Sequence, residues 1–332
     1  MSKKRIAING FGRIGRAAAR IILNEFKDEL ELVAINDPSP TEQSTLLFKY
    51  DSNFGRYPGT VESPNNEEII IDGKKIEKFT TRNISELPWG ELKIDIVLEC
   101  TGVFRDKAGA SQHLTQGAKK VIISAPAKDD NFDTFVIGAN DHLITGKETL
   151  ISNASCTTNC LAPLAKVLND EFEIESGLMT TIHSYTTSQP VLDLGAKDMR
   201  RGRAAAINLV PTTTGAAKAV GIVLPELNGK LTGMCVRVPT PTVSLVDLTI
   251  TVKKTATVES INAAVKAASE KNPHILGYSD LPLVSKDFEQ DSRSSIFDAD
   301  STYVIGNMVK VLSWYDNEWG YSSRLVELAT KV

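Results

Sequence analysis

A glycine-rich turn between a short apolar strand and a helix constrains the fold of this chain more than any other feature. The predicted strand covers Lys4–Asn9, the turn reads Gly10-Phe-Gly12-Arg-Ile-Gly15, and a strong helix-forming segment follows. Gly10 permits a tight turn, Gly12 lets the backbone approach a pyrophosphate, and Gly15 lets the helix pack on the strand. This order favours a dinucleotide-binding βα unit, although an ordinary βα turn has the same outline.

A carboxylate stands at the end of the second predicted strand. This strand covers residues 31–36, and Asp37 follows it 22 residues after Gly15. A carboxylate here accepts hydrogen bonds from the hydroxyls of an adenosine ribose and repels a 2′-phosphate. We therefore expect NAD rather than NADP, while the alternative that Asp37 only caps the turn at Pro38 stays open.

Two further apolar runs continue the pattern of buried parallel strands. They cover residues 94–102 and 120–125 and end in small polar residues that include Thr101 and Ser124. Because ligands bind at the carboxyl ends of strands in open α/β sheets, these two side chains are candidates for cofactor binding. The sequence thus predicts an α/β fold with a doubly wound parallel sheet of the Rossmann type.

The rest of the chain has a different pattern. Alternating strands and two amphipathic helices predict a second, α+β catalytic domain on a mostly antiparallel or mixed sheet. We expect an NAD-binding domain at 1–155, a catalytic domain at 156–318, and a C-terminal helix at about 319–332 that packs back on the first domain. Residues 67–79 read as a hairpin turning at Asp72-Gly73, which we interpret as an insertion within the nucleotide-binding domain.

Cys156 is the strongest candidate for a nucleophile. The run from Ser152 to Cys160 reads Ser-Asn-Ala-Ser-Cys-Thr-Thr-Asn-Cys and passes directly into a segment with apolar residues at helical spacing. A cysteine at the start of a helix lies near unpaired N–H groups and the positive end of the helix dipole, which both stabilise a thiolate. His183, one of four histidines in the chain, ends a β-patterned run and is the candidate base.

Polar segments of the second domain suit an anionic substrate. Residues 211–215 read Pro-Thr-Thr-Thr-Gly, whose hydroxyls and flexible backbone suit an oxyanion such as phosphate, and Arg237 adds a fixed cation. A buried structural ion pair is the alternative for Arg237. The segment 193–203 carries four basic residues without a clear period, and it is either a functional or subunit-contacting loop or a solvated basic loop.

The remaining cysteines and histidines have simpler interpretations. Cys100 and Cys235 occupy apolar strands and are expected to be core thiols. Cys160 lies one helical turn after Cys156, so it either packs in the core, which is favoured, or traps an oxidised Cys156 as a disulfide. Three histidines lie in polar helical or turn-like sequence and are expected at the surface: His113, His142 and His274.

Composition and charge argue against several classes of protein. The chain has 332 residues, a net charge of −4 and four cysteines, whose spacing fits neither a disulfide framework nor a zinc ribbon. No apolar run approaches the length of a signal peptide or a membrane span, so we expect a soluble cytoplasmic protein without a metal site. The negative charge gives no support to nucleic acid or a membrane as a partner.

Seven segments carry the resemblance of this chain to a known family. They are Ala7–Gly15, Ser152–Cys160, His183–Thr186, Arg200–Ala205, Pro211–Lys218, Val236–Pro239 and Trp314–Tyr321. With these segments the chain resembles phosphorylating glyceraldehyde-3-phosphate dehydrogenase along essentially its whole length. The Ser-Cys-Thr-Thr-Asn-Cys sequence is the most specific of the matches.

The resemblance implies a reaction and an assembly. Cys156 would attack the aldehyde carbon of glyceraldehyde 3-phosphate, and His183 would assist thiolate formation and accept the hydroxyl proton while a hydride passes to NAD. Inorganic phosphate would then release the thioester as 1,3-bisphosphoglycerate. The family pattern also implies a homotetramer in which the 193–203 loop reaches toward the cofactor of a neighbouring subunit.

The resemblance also assigns further residues to ligands. Thr186 and Arg237 match the site for the substrate phosphate. The attacking phosphate would contact Ser155, Thr157, Thr214 and Gly215. The implied cofactor contacts, among which Asn317 orients the nicotinamide carboxamide, are Gly10, Gly12, Arg13, Ile14, Gly15, Asp37, Arg82, Thr101, Ser124, Asn317 and Tyr321.

Three positions depart from the family pattern. Ser188 stands where many bacterial members have an acid, so one interaction of the phosphate site is in doubt. Pro38 replaces a usual aliphatic residue and Gly195 a common proline. These two changes leave some use of NADP open, although the retained Asp37 still favours NAD.

Two rival functions differ from this expectation. An erythrose-4-phosphate dehydrogenase shares the nucleophile and base but typically departs after the catalytic histidine and in the Thr-Thr-Thr-Gly region. The retained Ser184–Thr186 and Thr213–Gly215 favour the three-carbon substrate. A non-catalytic role, as a redox sensor through Cys156 or a nucleotide-dependent scaffold, belongs to a different class and is treated as secondary.

Overall fold

The computed structural model describes residues 2–332 and divides the chain into two compact units. The first unit holds residues up to 135, residues 143–154 and residues 322–332, and the second holds residues 136–142 and 155–321. No helix of the described chain is both long enough and apolar enough to cross a membrane. Within residues 2–332, no group of three or more His, Cys, Asp or Glu side chains is arranged to hold a metal ion.

The first unit contains three complete α-helices and eleven strands among its described residues, together with most of the C-terminal helix given below. The helices are α1 (Arg13–Asn24), α2 (Thr41–Lys49) and α3 (Lys107–Thr115). The strands are β1 (Lys4–Asn9), β2 (Leu30–Asn36), β3 (Tyr50–Asp51), β4 (Gly55–Arg56), β5 (Val61–Asn65), β6 (Glu68–Ile71), β7 (Lys74–Phe79), β8 (Ile96–Glu99), β9 (Lys120–Ile123), β10 (Asp133–Thr134) and β11 (Leu150–Ser152).

Apart from β3 and β4, which form a separate two-stranded sheet, these strands form one large sheet with a parallel centre. Its order is β10-β11-β9-β8-β1-β2-β7-β6-β5, and every neighbouring pair from β10 to β7 is parallel. The central strands are almost continuously apolar because a parallel sheet of this class is covered on both faces, and Ile6, Ile8 and Val97 are fully buried. The prediction of a doubly wound parallel sheet is confirmed.

The predicted hairpin at residues 67–79 is present, but its interpretation as an insertion was wrong. It turns at Asp72 and Gly73, whose φ values are +50° and +75°. Its second arm, β7, pairs in parallel with β2 and places Lys78 opposite Ile35. β7 is therefore part of the parallel sheet, and only β5 and β6 extend the edge in antiparallel fashion. The sequence of β7 does not indicate a place in the parallel sheet, because its alternation of polar and apolar residues is typical of a half-exposed strand.

The turn between β1 and α1 requires glycine at two positions. Gly10 has a φ of +94°, and a Cβ there would lie 2.7 Å from the backbone nitrogen of Thr101. A Cβ on Gly15 would lie 2.1 Å from the carbonyl oxygen of Gly10, so α1 packs tightly on the turn. At Gly12 a Cβ would meet no atom within 4 Å, which leaves open space before the first turn of α1.

The prediction that His113 lies at the surface was wrong. His113 is fully buried on α3, where its Nδ1 accepts a hydrogen bond from the indole N–H of Trp89 at 2.9 Å. Its Nε2 lies 3.1 Å from the Glu99 carboxylate. Because an indole N–H can only donate, His113 carries its proton on Nε2 and donates it to Glu99. The surface position predicted for His142 and His274 is confirmed.

The second unit is built on a mixed sheet with helices packed against it. Its helices are α4 (Cys156–Phe172), α5 (Ala216–Val223), α6 (Val258–Lys271) and α7 (Trp319–Lys331), the last of which continues into the first unit. The strands are β12 (Ile174–Ser184), β13 (Val210–Thr213), β14 (Leu231–Val238), β15 (Ser244–Val252), β16 (Leu276–Ser279), β17 (Ser295–Ile305) and β18 (Met308–Tyr315).

The sheet of the second unit mixes parallel and antiparallel pairs. Its order is β13-β14-β12-β15-β18-β17-β16, in which β14 with β12 and β17 with β16 are parallel and the other neighbours are antiparallel. The side chains of Leu161, Leu164 and Leu168 on α4 are fully buried. The expectation of a mostly antiparallel or mixed sheet is confirmed.

We expect Gly15→Ala to lower the free energy of unfolding by about 3 kcal/mol, because the added methyl group overlaps backbone in a packed turn. Urea denaturation followed by circular dichroism measures this change. Gly12→Ala is the matched control, since its methyl group enters open space: it should unfold like the unsubstituted protein and bind a dinucleotide more weakly. A Gly15→Ala protein of unchanged stability would contradict the packing argument.

Candidate active site

The second unit places Cys156 at the first residue of α4. Ser155 is the N-cap of this helix, and its hydroxyl oxygen accepts a hydrogen bond from the backbone N–H of Thr158 at 3.0 Å. An N-cap serine starts a helix by satisfying one of the N–H groups that have no partner within it. The predicted position of Cys156 at the mouth of a helix is confirmed.

The histidine proposed as the base lies beside this cysteine. His183 Nε2 is 3.4 Å from Cys156 Sγ, a distance at which sulfur and nitrogen can share a proton. His183 is 4% exposed and belongs to β12, whereas Cys156 belongs to α4. The fold therefore brings together two residues that the sequence nominates separately.

Arg237 lies beside the imidazole nitrogen that does not face Cys156. In the parallel pairing of β12 with β14, His183 lies opposite Arg237. One guanidinium nitrogen, NH1, is 2.6 Å from His183 Nδ1 and donates to the Ser184 carbonyl at 2.9 Å. Nδ1 is also 2.7 Å from that carbonyl. A proton on Nδ1 would donate to Ser184 and leave Nε2 able to accept the thiol proton of Cys156.

Burial and the nearby cation set the protonation of the pair. Burial raises the pKa of the Cys156 thiol above its usual value, and the charge of Arg237 and hydrogen bonds from Thr157 offset only part of this increase. Burial is also the main reason that the pKa of His183 falls to about 3, and the charge of Arg237 lowers it further. The imidazole is therefore neutral at pH 7, which is the form required of a base.

The alternative of a structural ion pair for Arg237 is not supported. In the described part of the chain, its contacts are the imidazole and the Ser184 carbonyl rather than a carboxylate. Its Nε atom is buried and has no hydrogen-bond partner there. An unpaired guanidinium N–H beside a reactive cysteine is suited to an anionic ligand.

Tyr315 is a residue of this site that the sequence argument did not single out. Its hydroxyl lies 2.8 Å from both Thr157 Oγ1 and Thr181 Oγ1, and its ring packs edge-on to His183 at 6.1 Å between centroids. It thus joins the first turn of α4 to β12 beneath the imidazole. Its place in the Trp314–Tyr321 segment, one of those that carry the family resemblance, is the sequence feature that could have identified it.

The other candidates for phosphate binding lie on two loops. Thr186 follows β12, and its hydroxyl is 3.0 Å from that of Ser188. Thr214 and Gly215 precede α5, where Gly215 is the N-cap and Thr214 Oγ1 accepts from the Ala216 N–H at 3.2 Å. Cys156, His183 and Arg237 lie in direct contact with one another, whereas these loop hydroxyls bond to residues near them in sequence.

Arg201 is a second cation that the sequence placed only within a basic loop. Its Nε donates to Thr212 Oγ1 at 2.8 Å, and its NH2 donates to the Thr213 carbonyl at 3.0 Å. After burial and Arg237, its charge also contributes to the low pKa of His183. Arg201 is thereby held beside the threonine run of residues 211–215.

Two proposed cofactor contacts lie in the second unit. Asn317 is 4% exposed, and its Oδ1 accepts a hydrogen bond from Ser244 Oγ at 2.8 Å. Tyr321 is buried in α7.

Asp37 ends β2 in a well-defined orientation. Its two oxygens accept hydrogen bonds from the backbone N–H groups of Phe11 and Ser39, each at 2.9 Å. Burial raises the pKa of this carboxyl group, but hydrogen bonds from Ser39 and Phe11 and the charge of Lys78 outweigh burial, so the pKa is lower than usual. Asp37 is therefore an anion at neutral pH beside the glycine turn.

A surface groove adjoins Asp37. It has a volume of about 600 Å³ and includes Pro38, Phe79 and Arg82 in its walls. Arg82 is exposed there. A groove of this size beside a carboxylate suits the adenosine portion of a dinucleotide.

The other cofactor candidates lie along the carboxyl edge of the parallel sheet or at α1. Thr101 follows β8, and both its backbone N–H and its hydroxyl donate to Glu99. Ser124 follows β9. Arg13 forms a 2.5 Å ion pair with Asp51, and Ile14 follows it in the first turn of α1. The open space at Gly12 fits a pyrophosphate at the start of this helix.

The other three cysteines play no part in this geometry. Cys160 is fully buried, and its sulfur lies 3.5 Å from Ser295 Oγ, in agreement with the favoured core position. Cys235 is also buried, as predicted. Cys100 is only partly covered, although burial and the charge of Glu99 raise the pKa of its thiol to about 12.

Comparisons with known proteins agree over nearly the whole chain. The family model described as "Glyceraldehyde 3-phosphate dehydrogenase, NAD binding domain" matches residues 4–107, and "Glyceraldehyde 3-phosphate dehydrogenase, C-terminal domain" matches residues 155–317. The chain is 56% identical to a glyceraldehyde-3-phosphate dehydrogenase of Atriplex nummularia, over 99% of this chain and 91% of that protein. It is 55% identical to a cytosolic one of Taxus baccata (98% and 96% covered) and 52% identical to one of Mycolicibacterium smegmatis (99% and 98%).

We expect Arg237→Leu to slow the alkylation of Cys156 by iodoacetamide at pH 7. Arg237 lowers the pKa of the thiol, so its loss raises that pKa, and each unit of increase reduces the thiolate about tenfold. The measurement is the second-order rate constant of alkylation between pH 6 and 10. This constant rises with pH as the thiol ionises, and in Arg237→Leu the rise should occur at higher pH. Arg203→Leu removes an exposed arginine that pairs with Asp193 and should leave the profile in place. Identical profiles for Arg237→Leu and the unsubstituted protein would contradict the assigned effect.

Proposed function

Because this chain belongs to the glyceraldehyde-3-phosphate dehydrogenase family, it is an NAD-dependent oxidoreductase of glyceraldehyde 3-phosphate, and we propose that Cys156 and His183 perform its chemistry. The observation that carries this proposal is the 3.4 Å contact of Cys156 Sγ with His183 Nε2 at the start of α4. The reaction converts the aldehyde, NAD and inorganic phosphate to 1,3-bisphosphoglycerate and NADH.

Cys156 first adds to the aldehyde. Its sulfur bonds to the carbonyl carbon while His183 Nε2 accepts the thiol proton, and this proton passes to the former carbonyl oxygen to complete a hemithioacetal. The backbone N–H of Cys156 is a donor for the oxyanion that develops during this addition. NAD, when bound, supplies the acceptor for the hydride that leaves the carbon.

His183 then serves a second time. As the hydride leaves, Nε2 removes the hydroxyl proton, and the carbon and sulfur are left joined as a thioester. An oxygen of inorganic phosphate attacks this thioester, the carbon–sulfur bond breaks, and the sulfur leaves as a thiolate that recovers its proton from His183. Burial disfavours the charged form of His183, so the imidazole begins both proton-accepting steps neutral, which is the form that can accept a proton.

Arginine and hydroxyl groups are assigned to the two phosphates. Arg237 and Thr186 bind the phosphate of the substrate, and the unpartnered Nε of Arg237 supports this assignment. The attacking phosphate is assigned to Ser155, Thr157, Thr214 and Gly215. Arg201, held beside this run by its bonds to Thr212 and Thr213, provides a second positive charge for it.

NAD binding is assigned to residues 1–155 together with the C-terminal helix at about 319–332, and catalysis to residues 156–318. The pyrophosphate is assigned to Gly12, Arg13 and Ile14 and the adenosine ribose to Asp37. The open space at Gly12 and the anionic Asp37 support these roles. Further contacts are assigned to Gly10, Gly15, Arg82, Thr101, Ser124, Asn317 and Tyr321.

The names of the relatives bear on the rival substrate and on the compartment. Their names refer to glyceraldehyde 3-phosphate, so the erythrose-4-phosphate alternative is not favoured. Two of the plant relatives are named as cytosolic, which supports a cytoplasmic location for this protein.

The decisive experiment measures NADH formation from glyceraldehyde 3-phosphate and NAD with and without inorganic phosphate. We expect sustained turnover only with phosphate, and its loss by several orders of magnitude in Cys156→Ser, because a hydroxyl is a far weaker nucleophile than a thiolate. Cys160→Ala, which changes a buried cysteine of the same helix, is the matched control and should retain turnover. Turnover without phosphate would indicate thioester hydrolysis and would contradict the phosphorylating reaction.

We also propose that four copies of this chain assemble. The loop between β12 and β13 exposes six large apolar side chains by more than two thirds of their surface, which is unusual for a face in water. Such a loop is suited to burial against another copy. The residues are Val191, Leu192, Leu194, Met199, Ile207 and Leu209.

Light scattering should give a mass of four chains for the unsubstituted protein. Met199→Glu places a charge on the most exposed of the six apolar side chains and should shift the mass to smaller species, because burying an unpaired carboxylate is costly. Leu143→Glu, an exposed leucine outside the loop, is the control and should leave the mass unchanged. A monomer at every concentration of the unsubstituted protein would overturn the assembly.

A further inference from the structure

Lys78 is a buried lysine that the proposed chemistry does not use. Only 3% of it is exposed, whereas lysine is almost never buried unless it is paired. Its ammonium nitrogen donates to three backbone carbonyl groups: those of Asp37 at 2.7 Å, Phe79 at 2.8 Å and Ser39 at 3.2 Å. An ammonium group has three N–H donors, so each of them has an acceptor within the protein.

The surroundings of Lys78 oppose its charge. Burial lowers the pKa of Lys78 to about 8, although the nearby Asp37 favours the ammonium form. A methionine would fill a similar volume without this penalty, but it would remove the ammonium donor from the carbonyl groups of Asp37 and Ser39 and leave that of Phe79 with the backbone N–H of Asp37 alone. The three hydrogen bonds are therefore what a lysine contributes at this position.

The three carbonyl groups belong to the two strand ends that flank the adenosine groove. Asp37 and Ser39 lie on either side of Pro38 in the turn after β2, and Phe79 ends β7. Pro38 and Phe79 both line the groove. Lys78 thus ties one wall of the groove to the other from the protein interior.

The same turn fixes the orientation of the Asp37 carboxylate. The N–H of Ser39 holds one of its oxygens, and the N–H of Phe11 holds the other. Because Lys78 binds the carbonyl groups of Asp37 and Ser39, it restrains the backbone that carries both the carboxylate and one of its two donors.

We propose that Lys78 is a positioning residue for the adenosine half of NAD. It acts through the turn that presents Asp37 to the ribose, and it does not itself touch the cofactor. This inference rests on the proposed role of Asp37. Since its three donors are taken up by carbonyl groups, Lys78 also offers no free hydrogen bond to a 2′-phosphate, in keeping with a preference for NAD.

The test compares Lys78→Met, Lys78→Gln and Lys75→Met. We expect Lys78→Met to raise both the KM for NAD and the Kd for ADP-ribose roughly tenfold, with kcat at saturating NAD within about twofold and the KM for glyceraldehyde 3-phosphate unchanged. Lys78→Gln keeps an amide donor, so its KM for NAD and its Kd for ADP-ribose should lie between those of the unsubstituted protein and those of Lys78→Met. Lys75→Met makes the same change on the same strand, at an exposed lysine paired with Glu68 and Glu77, and should alter none of these constants.

Calorimetric titration with ADP-ribose and thermal unfolding separate positioning from folding. Either folded Lys78 variant that binds ADP-ribose as tightly as the unsubstituted protein would overturn the inference. So would a lower melting temperature without any change in the KM for NAD, which would make Lys78 purely structural. Asp37→Asn separates the two proposals: if it leaves ADP-ribose binding unchanged, the role of Asp37 fails, and if it alone weakens binding, only the inference about Lys78 fails.

Discussion

The parallel pairing of β12 with β14 is the constraint on which the reactive centre depends. It places His183 opposite Arg237, while the first turn of α4 brings Cys156 to the other ring nitrogen. Both strands lie inside a seven-stranded sheet of the described chain, so these side chains have little freedom to lose when a substrate binds. Arg237 touches the imidazole and influences both pKa values, so a single guanidinium links the protonation of the proposed base to that of the proposed nucleophile.

Burial has a different effect on each ionisable group. It keeps the imidazole of His183 neutral, because desolvation disfavours its charged form. In the first unit it is offset by hydrogen bonds: Asp37 remains anionic because backbone N–H groups solvate it, and Lys78 is held by backbone carbonyl groups. Backbone N–H and carbonyl groups thus take the place of water around the Asp37 carboxylate and the Lys78 ammonium group.

Much of the architecture could be predicted, because the relevant signals are local. The glycine spacing of residues 10–15 predicts the turn, and continuous apolar runs predict the buried parallel strands. The apolar residues at helical spacing after Cys160 predict a helix that begins near Cys156. His113 and β7 were misread for the opposite reason: their own segments look polar, while their partners come from other elements. Trp89 and Glu99 lie 24 and 14 residues from His113, and the hydrophobic periodicity of a single segment does not predict contacts with such distant residues.

Residue types at fixed spacing along the chain are enough to identify the family, the fold class, and Cys156 and His183 as candidates. The adjacency of the sulfur and the imidazole, across 27 residues, and the position of Arg237 at the same ring come from the packing of distant elements. Such packing also decided that Lys78 and His113 are buried. Desolvation and hydrogen-bond partners set the protonation of each of these groups, and both depend on which distant elements pack together.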